Sequence, residues 1–324
     1  MKILYGSTDI KGKFTRPDIA IGNFDGLHIG HRKVISKLVS GRERTNEKVV
    51  MTFDPHPRTV LGKKENGLRI MSLEHRISIL ERYGVNGVVI VPFDNNVAYM
   101  APSEFIEKFL LPLSPENIYI GANFRFGRGR SGDIHFLDQM SSANRIAIHP
   151  VSPVVYMNRA VSSTWLRELI SGGKLELSAK LLRRPVSVLG TVVKGDRRGS
   201  FLGTPTANID PHHEVLPPPA VYAVKVRYGG KFYDAVLNIG YKPTFYGDRL
   251  KKRKEPVIEA HLFDFKGDLY GSELEIYFIK KIRDELWFEN EAQLRSRILK
   301  DLELSRNILS DKYRARTVYL HRVK

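Results

Sequence analysis

The sequence predicts two domains of different class: an α/β domain with a doubly wound, mostly parallel sheet, then a small antiparallel β-barrel followed by a helix. Three observations predict this. The chain has 324 residues, and at roughly 150 residues per domain that length is a prior for two. Up to Leu182, short apolar runs alternate with amphipathic stretches, the pattern of parallel strands crossed over by helices. From Val186 the runs become β-type and are separated by glycine and proline.

In the first domain the apolar runs Ile19 to Ile21, Val49 to Phe53, Gly87 to Val91 and Ile118 to Ile120 read as strands. Between them lie helical spacings: Val34, Ile35, Leu38 and Val39, then Ile77 and Leu80, then Phe105, Ile106, Phe109 and Leu110. A helix over Ser171 to Leu182 leads to Arg183-Arg184-Pro185, the expected junction, which gives domains 1–184 and 185–324. The barrel is expected to contain Ala220 to Val224, Ala235 to Leu237 and Leu274 to Phe278. The tail turns helical, with Leu294, Ile298 and Leu302 four apart.

Hydrophobic residues make up 42% and charged residues 27%, which excludes a largely disordered chain. The chain has no cysteine, so disulfides, thiolate nucleophiles, Cys-based zinc sites and iron–sulfur clusters are excluded. Met1 to Ser7 lacks a sustained apolar segment, and no later run approaches the ~20 residues of a membrane span. A soluble, cytoplasmic protein is expected. The formal charge is +17, and it is spread out: 27 basic against 17 acidic residues up to Pro185, then 25 against 18. The densest cluster is Lys251-Lys252-Arg253-Lys254. A genome-wide basic bias, a field drawing in polyanionic small substrates and a nucleic-acid surface all compete as explanations. No basic tail and no aromatic–basic interleaving accompany the charge, so no nucleic-acid partner is expected.

Gly22-Asn23-Phe24-Asp25-Gly26-Leu27-His28-Ile29-Gly30-His31 follows the first apolar run and opens a helix. An α/β sheet places phosphates there, because free N–H groups and the positive helix end point at the ligand. Gly22, Gly26 and Gly30 would let backbone and phosphate approach closely. His28 and His31, three apart, share one helix face, and two imidazoles can donate to phosphoryl oxygens as charge builds up. For H-x-G-H alone, a solvated loop and a metal pair compete with this reading. Strand, glycine-rich turn and helix start together favour phosphate.

These ten residues resemble the signature of the nucleotidyltransferase superfamily. More narrowly, they resemble the N-terminal module of the prokaryotic bifunctional riboflavin kinase/FMN adenylyltransferase family. Thr52-Phe53-Asp54-Pro55-His56-Pro57, Gly121-Ala122-Asn123-Phe124-Arg125-Phe126-Gly127 and Ser162-Ser163-Thr164-Trp165-Leu166-Arg167 resemble further motifs of that family. The resemblance implies a nucleotidyltransferase-type sheet in which His28 and His31 are catalytic, stabilising attack on the α-phosphate of ATP. It implies nucleotide binding by Gly22, Asn23, Phe24, Asp25 and Gly30, with Ser163, Thr164 and Arg167. Flavin binding falls to Asn123, Phe124, Arg125 and Phe126. Taken by themselves, Ser163 and Thr164 are good helix caps and Arg167 can fork onto a phosphate; a merely capped helix is the competing reading. A basic residue of the family is Ala160 here, with Arg159 beside it as a substitute.

Gly127-Arg128-Gly129-Arg130-Ser131-Gly132 is formally the dinucleotide fingerprint. That fingerprint needs an acidic residue about 20 positions on, and none lies between Asp138 and Glu168. A mobile loop closing over a flavin or nucleotide phosphate fits better.

In the second domain Gly195-Asp196-Arg197-Arg198-Gly199 precedes Leu202-Gly203-Thr204-Pro205-Thr206-Ala207-Asn208. No Walker-type lysine loop exists in the chain, so kinase chemistry would need another cradle. The Thr206 hydroxyl and Asn208 amide oxygen are hard ligands suited to Mg²⁺ bridging phosphates, and a turn with an Asx cap is the competing reading. The stretch resembles the G-D-x-x-G-R-x-L-G-F-P-T-A-N motif of the riboflavin kinase family. That resemblance implies Mg²⁺ and ATP phosphates held by Thr206 and Asn208, with Gly195 and Gly203 at the nucleotide. Asn238 to Phe245 resembles the next motif, and Glu259-Ala260-His261-Leu262-Phe263-Asp264-Phe265 the one after it, whose leading glutamate is the general base. As a continuous strand this segment would put Val257, Glu259, His261, Phe263 and Phe265 on one face, a carboxylate among apolar groups. Such surroundings favour proton uptake from the riboflavin 5′-hydroxyl; without the resemblance, an edge-strand glutamate in solvent is the competing reading. Ser200, Thr204 and Ala220 depart from the family pattern.

The resemblance therefore implies riboflavin phosphorylation to FMN in the barrel and adenylylation of FMN to FAD in the α/β domain. ATP is the co-substrate, Mg²⁺ the metal, and the partners are small molecules, with neither nucleic acid nor membrane expected. A monofunctional FMN adenylyltransferase with a degenerate barrel is the alternative.

Overall fold

The computed structural model describes residues 1–6, 10–41, 46–61, 69–142, 145–194, 206–241 and 256–310. The described residues divide into two compact units, Met1–Trp165 and residues 166–310.

The first unit holds a six-stranded sheet in the order β1-β4-β3-β2-β5-β6. Its strands are β1 (Lys2–Tyr5), β2 (Asp18–Ile21), β3 (Lys48–Asp54), β4 (Gly87–Pro92), β5 (Asn117–Gly121) and β6 (Ala147–Val151). Every neighbouring pair is parallel. The central strands β2 to β5 are the four apolar runs, because a strand covered on both faces reads as a continuous hydrophobic stretch. The edge strands escape that signal: β1 is largely exposed, and β6 is exposed or half-buried except at Val151 and is broken by His149 and Pro150. Strand order reverses at β2, with β3 on one side and β5 on the other. The loops that follow Ile21 and Gly121 thus leave the carboxyl edge at the topological switch point, where open α/β sheets bind ligands.

The helices are α1 (Ile29–Val39), α2 (Pro57–Val60), α3 (Leu73–Arg82), α4 (Asn95–Ala98), α5 (Pro102–Phe105), α6 (Ile134–Ser142), α7 (Ser163–Ser171) and α8 (Leu175–Leu182). Proline at the start of α5 is suited to a helix entry, and the segment continues through a π-turn over Ile106–Leu110. Phe105, Ile106, Phe109 and Leu110 are buried there against Ile21, Met51, Val89 and Ile120 of the sheet. On α3 the buried face is Leu73, His75, Arg76, Ile79 and Leu80. Before α7 two short strands, β7 (Val155–Tyr156) and β8 (Arg159–Ala160), pair antiparallel.

The second unit contains a closed barrel in the order β10-β13-β12-β11-β14-β9. Its strands are β9 (Ser187–Val193), β10 (Ala207–Asp210), β11 (Ala220–Tyr228), β12 (Lys231–Gly240), β13 (Val257–Leu262) and β14 (Glu273–Asp284). All pairs are antiparallel. Gly229 and Gly230, with φ of 55° and 78°, form the two-residue turn that joins β11 to β12, a turn needing positive φ at both positions. The helix Glu291–Leu309 docks on the barrel through Ile308 and Leu309 against Ala223 and Phe263. The expected Leu294, Ile298 and Leu302 lie half-buried on the same face. Asp301, buried within that face, pairs with Arg283 at 2.7 Å and Arg297 at 3.1 Å.

Candidate active sites

The loop from Gly22 to His28 is held from several directions. Phe24 is buried, with its ring beneath Gly22, where an added Cβ would come within 3.1 Å of it. Buried Asp25 accepts the N–H groups of Ile70 at 2.9 Å and Met71 at 3.1 Å, and its carbonyl accepts the Ser163 hydroxyl at 2.9 Å. Phe24 and Leu27 sit at φ of 50° and 45°, left-handed conformations that persist only where the surroundings over-determine them. Phe24 and Asp25, expected at the nucleotide, thus point into the protein and shape the loop. Of the three glycines only Gly26 has positive φ, 89°. Gly22 and Gly30 instead leave room for side chains: a Cβ at Gly30 would meet the His28 ring at 3.2 Å.

His28 caps α1, its Nδ1 accepting the His31 N–H at 3.3 Å. Acceptance at Nδ1 fixes the neutral ring's proton on Nε2, leaving a donor. The His28 and His31 rings stack with centroids 3.7 Å apart, and Phe24 meets His31 edge-on at 5.4 Å. Burial pulls the His28 pKa down to about 4, against the opposing pull of Asp25. His31 is held well below its usual value by burial, then by His28 and Arg76. Both imidazoles are therefore neutral donors at pH 7. Asn23 Oδ1 and His31 Nδ1 are buried and have no hydrogen-bond partner among the described residues, so the pocket retains polar capacity.

Around this pair the side chains divide. Thr164 accepts from Arg58 at 3.1 Å. Ser162, rather than Ser163 or Thr164, caps α7, accepting the Trp165 N–H at 3.3 Å. This frees the Ser163 hydroxyl for Asp25. Arg167 is one turn further along α7. Arg159 lies over the Trp165 ring at 4.8 Å, whereas Ala160, its neighbour in a short strand, faces the opposite way.

After β5, Asn123 and Arg125 are exposed and Phe124 is half-buried. Arg125 pairs with Asp133 at 3.4 Å. Phe126, expected at the flavin, is buried in the core, 5.6 Å from the Phe105 ring. The glycine–arginine segment expected to be mobile is pinned at both feet: Phe126 and Gly132 exchange backbone bonds of 3.0 and 2.9 Å, and the Arg128 N–H reaches Met100 O at 2.8 Å. A Cβ on Gly127 or Gly132 would strike Pro102.

One residue absent from the expectations stands out. Arg76 on α3 is buried and donates to the carbonyl of Asn23 and, at 3.0 Å, to Thr52 Oγ1. Its signal in the sequence is a charged residue at a core position of the Leu73, Ile79, Leu80 period.

In the barrel, Asn208 on β10, Glu259 on β13 and Asn238 on β12 stand in one cross-strand row. Directly opposed residues share a face. Thr206 immediately precedes β10 and, like Asn208, lines a cavity of about 330 Å³ with Val192, Leu262, Phe265 and Leu269. Glu259 stands between Val257 and His261 along the strand and between Asn208 and Asn238 across it, a row of mixed apolar and polar groups. Alternation buries Ile258, Ala260 and Leu262, leaving Val257, Glu259 and His261 half-buried on the other face. The strand ends at Leu262, yet the Phe263 N–H reaches Asp234 O at 2.8 Å and its ring meets that of His261 edge-on at 5.7 Å, so Phe263 continues the row. Phe265, beyond Asp264 at φ of 57°, lines the cavity with Ala260 and Leu262 instead. Ala220 is buried and pairs with Ile239. Gly195, Gly203, Arg197, Arg198, Ser200, Thr204 and Lys251 to Lys254 lie outside the described residues.

Comparison with known proteins follows the same division. A family model described as FAD synthetase matches residues 13–165, and one described as riboflavin kinase matches residues 182–309. A bifunctional riboflavin kinase/FMN adenylyltransferase of Bacillus subtilis is 35% identical over 299 residues, covering 90% of this chain and 92% of its own. Its counterpart from Buchnera aphidicola subsp. Schizaphis graminum is 32% identical over 308 residues, covering 94% and 97%. A solved structure described as a macrolide-efflux protein from Streptococcus pneumoniae superimposes with a TM-score of 0.78 at 28% identity, over 95% of this chain and 99% of that one. Matches to both halves favour two activities over one. From fold, site and relatives together, the chain belongs to the bifunctional riboflavin kinase/FMN adenylyltransferase family.

Proposed function

We propose that the chain makes FAD in two ATP-dependent steps at separate sites, with its domains at 1–184 and 185–324. In the barrel the riboflavin 5′-oxygen attacks the γ-phosphorus of ATP, giving FMN and ADP, while Glu259 takes the hydroxyl proton. In the α/β domain an FMN phosphate oxygen attacks the α-phosphorus of a second ATP, forming FAD and releasing pyrophosphate. The observation that carries this reading is the neutral, stacked His28–His31 pair at the start of α1. The Ile29 and Gly30 N–H groups precede the first bond within the helix, Arg32 N–H to His28 O, so they and His28 Nε2–H can meet developing negative charge. The reaction needs no protein nucleophile.

Asn23, Ser163, Thr164 and Arg167 are assigned to the nucleotide phosphates, and Asn123, Phe124 and Arg125 to the flavin side. Gly22, Phe24, Asp25, Gly30 and Phe126 support these residues from behind. Thr206 and Asn208 would hold Mg²⁺, which supplies charge neutralisation at the transferring phosphate. A hydroxyl and an amide oxygen suit a cation that keeps most of its shell in phosphate and water. Among the described residues no group of three or more His, Asp or Glu gathers as an alternative cage, and no helix is long and apolar enough to cross a membrane. The enzyme acts in the cytoplasm on small molecules, and the positive charge serves ATP rather than nucleic acid.

Incubation with ATP and Mg²⁺, with riboflavin in one reaction and FMN in another, resolves the assignment by chromatography. FMN followed by FAD from riboflavin is the expected result. FAD from FMN alone would leave only the adenylyl site, and no flavin product would refute the reading.

A further inference from the structure

We infer that Arg76 is a positioning residue of the adenylylation site: its buried guanidinium clamps the β2–α1 loop onto β3 and places a fixed positive charge at the carbonyl of Asn23, the residue before Phe24, whose ring meets His31. This rests on the function proposed above. Thr52 lies in β3, and its hydroxyl also reaches Asn23 O, at 3.3 Å. One guanidinium nitrogen therefore ties two elements together at the residue that begins the loop. Asp54 Oδ1, at the end of β3, stands 4.0 Å from the other nitrogen and also pairs with Arg69 at 3.2 Å. The Arg76 Nε is buried and has no hydrogen-bond partner among the described residues.

A buried arginine is costly unless its charge is used, and it stays protonated at neutral pH. Two uses follow from the geometry. The first is mechanical. Phe24 and Leu27 occupy left-handed backbone conformations, so the loop needs restraint at both ends. Asp25 supplies one through Ile70, Met71 and Ser163, and Arg76 supplies the other through Asn23.

The second is electrostatic. The charged and titratable groups facing His31 and Arg76 are His28 and Asp25 on the loop, Asp54 on β3, Arg69, and Glu74 on α3. The arginine disfavours a second cation at His31. The imidazoles thereby remain neutral donors, while the positive potential that ATP phosphates meet comes from a group that cannot lose its proton. An arginine at this place separates charge from hydrogen-bond donation, which a protonated histidine would have to combine.

Arg76→Lys keeps the charge and loses the fork; Arg76→Met loses both. The measurements are kcat and KM for FAD formation from FMN and ATP across pH 5 to 8. Riboflavin phosphorylation by the same molecules and thermal unfolding serve as references. Wild-type FAD formation is the precondition, and its absence would overturn the function rather than the clamp. We expect Arg76→Lys to lose about tenfold in kcat with the acid limb of its pH profile unmoved. Arg76→Met should lose a hundredfold or more, with that limb displaced upward by about one pH unit. Wild-type kcat in Arg76→Lys would refute the clamp. An unmoved acid limb in folded Arg76→Met would refute the electrostatic role. If Arg76→Met does not fold, a limb in Arg76→Lys displaced as far as one pH unit would refute that role instead.

Discussion

At Gly30 a missing side chain leaves the space that the His28 imidazole occupies. An alanine methyl there would sit 3.2 Å from ring atoms Cε1 and Nδ1, so the ring must shift by a few tenths of an ångström. That shift strains the bond from His31 N–H to Nδ1 and re-aims Nε2. Misplacement on that scale costs catalysis much more than stability. Gly30→Ala is therefore expected to slow FAD formation by about ten- to a hundredfold while riboflavin phosphorylation is unchanged, as initial rates by chromatography would show. Equal FAD rates in variant and parent would refute the packing argument. The same scale explains why motif residues divide into exposed ones, such as Asn123 and Arg125, and those facing inward. Phe24 and Phe126 are buried, so their aromatic surface serves the loop and the core.

Helix α1 couples its own stability to the state of one histidine. His28 accepts at the N-terminus only while neutral, and a proton on Nδ1 would remove the cap and set a cation against the positive helix end. The folded chain holds this pKa at about 4, against an ordinary 6.5. Between those values the unfolded chain binds a proton that the folded chain does not. Stability contributed here is complete above about pH 6.5 and falls as pH drops towards 4, by about 3 kcal/mol over the full range. Urea midpoints of the parent should fall more steeply from pH 7 to 4.5 than those of His28→Asn, which keeps a capping oxygen without the titration. Parallel pH dependences would sink the coupling. On β13 the lesson concerns period: the segment is recognisable as a strand, yet the half-buried face belongs to Glu259 and the buried one to Ile258, Ala260 and Leu262.

For the whole molecule, two units with their own sheets should let each chemistry fail alone. His28→Ala with His31→Ala is expected to abolish FAD formation while FMN formation continues, and Glu259→Ala to do the reverse. Loss of both activities in either folded variant would refute the two-site assignment. The sequence by itself determined the fold classes, the four central strands, the docked helix and the place of the glycine–histidine turn between β2 and α1. Those signals are local: continuous apolar runs, helical spacing, and glycine and histidine at a strand-to-helix turn. It did not reveal the edge strands β1 and β6, whose partial exposure leaves no apolar run. Nor did it reveal that Ser162 makes the α7 cap, that both feet of the glycine–arginine segment are pinned, or that buried Arg76 joins Asn23 to Thr52. Tertiary structure alone decided these points, because each depends on which distant groups share a buried space. Residues 23, 52 and 76 are far apart in sequence and meet only when the sheet has formed and α3 has packed against it.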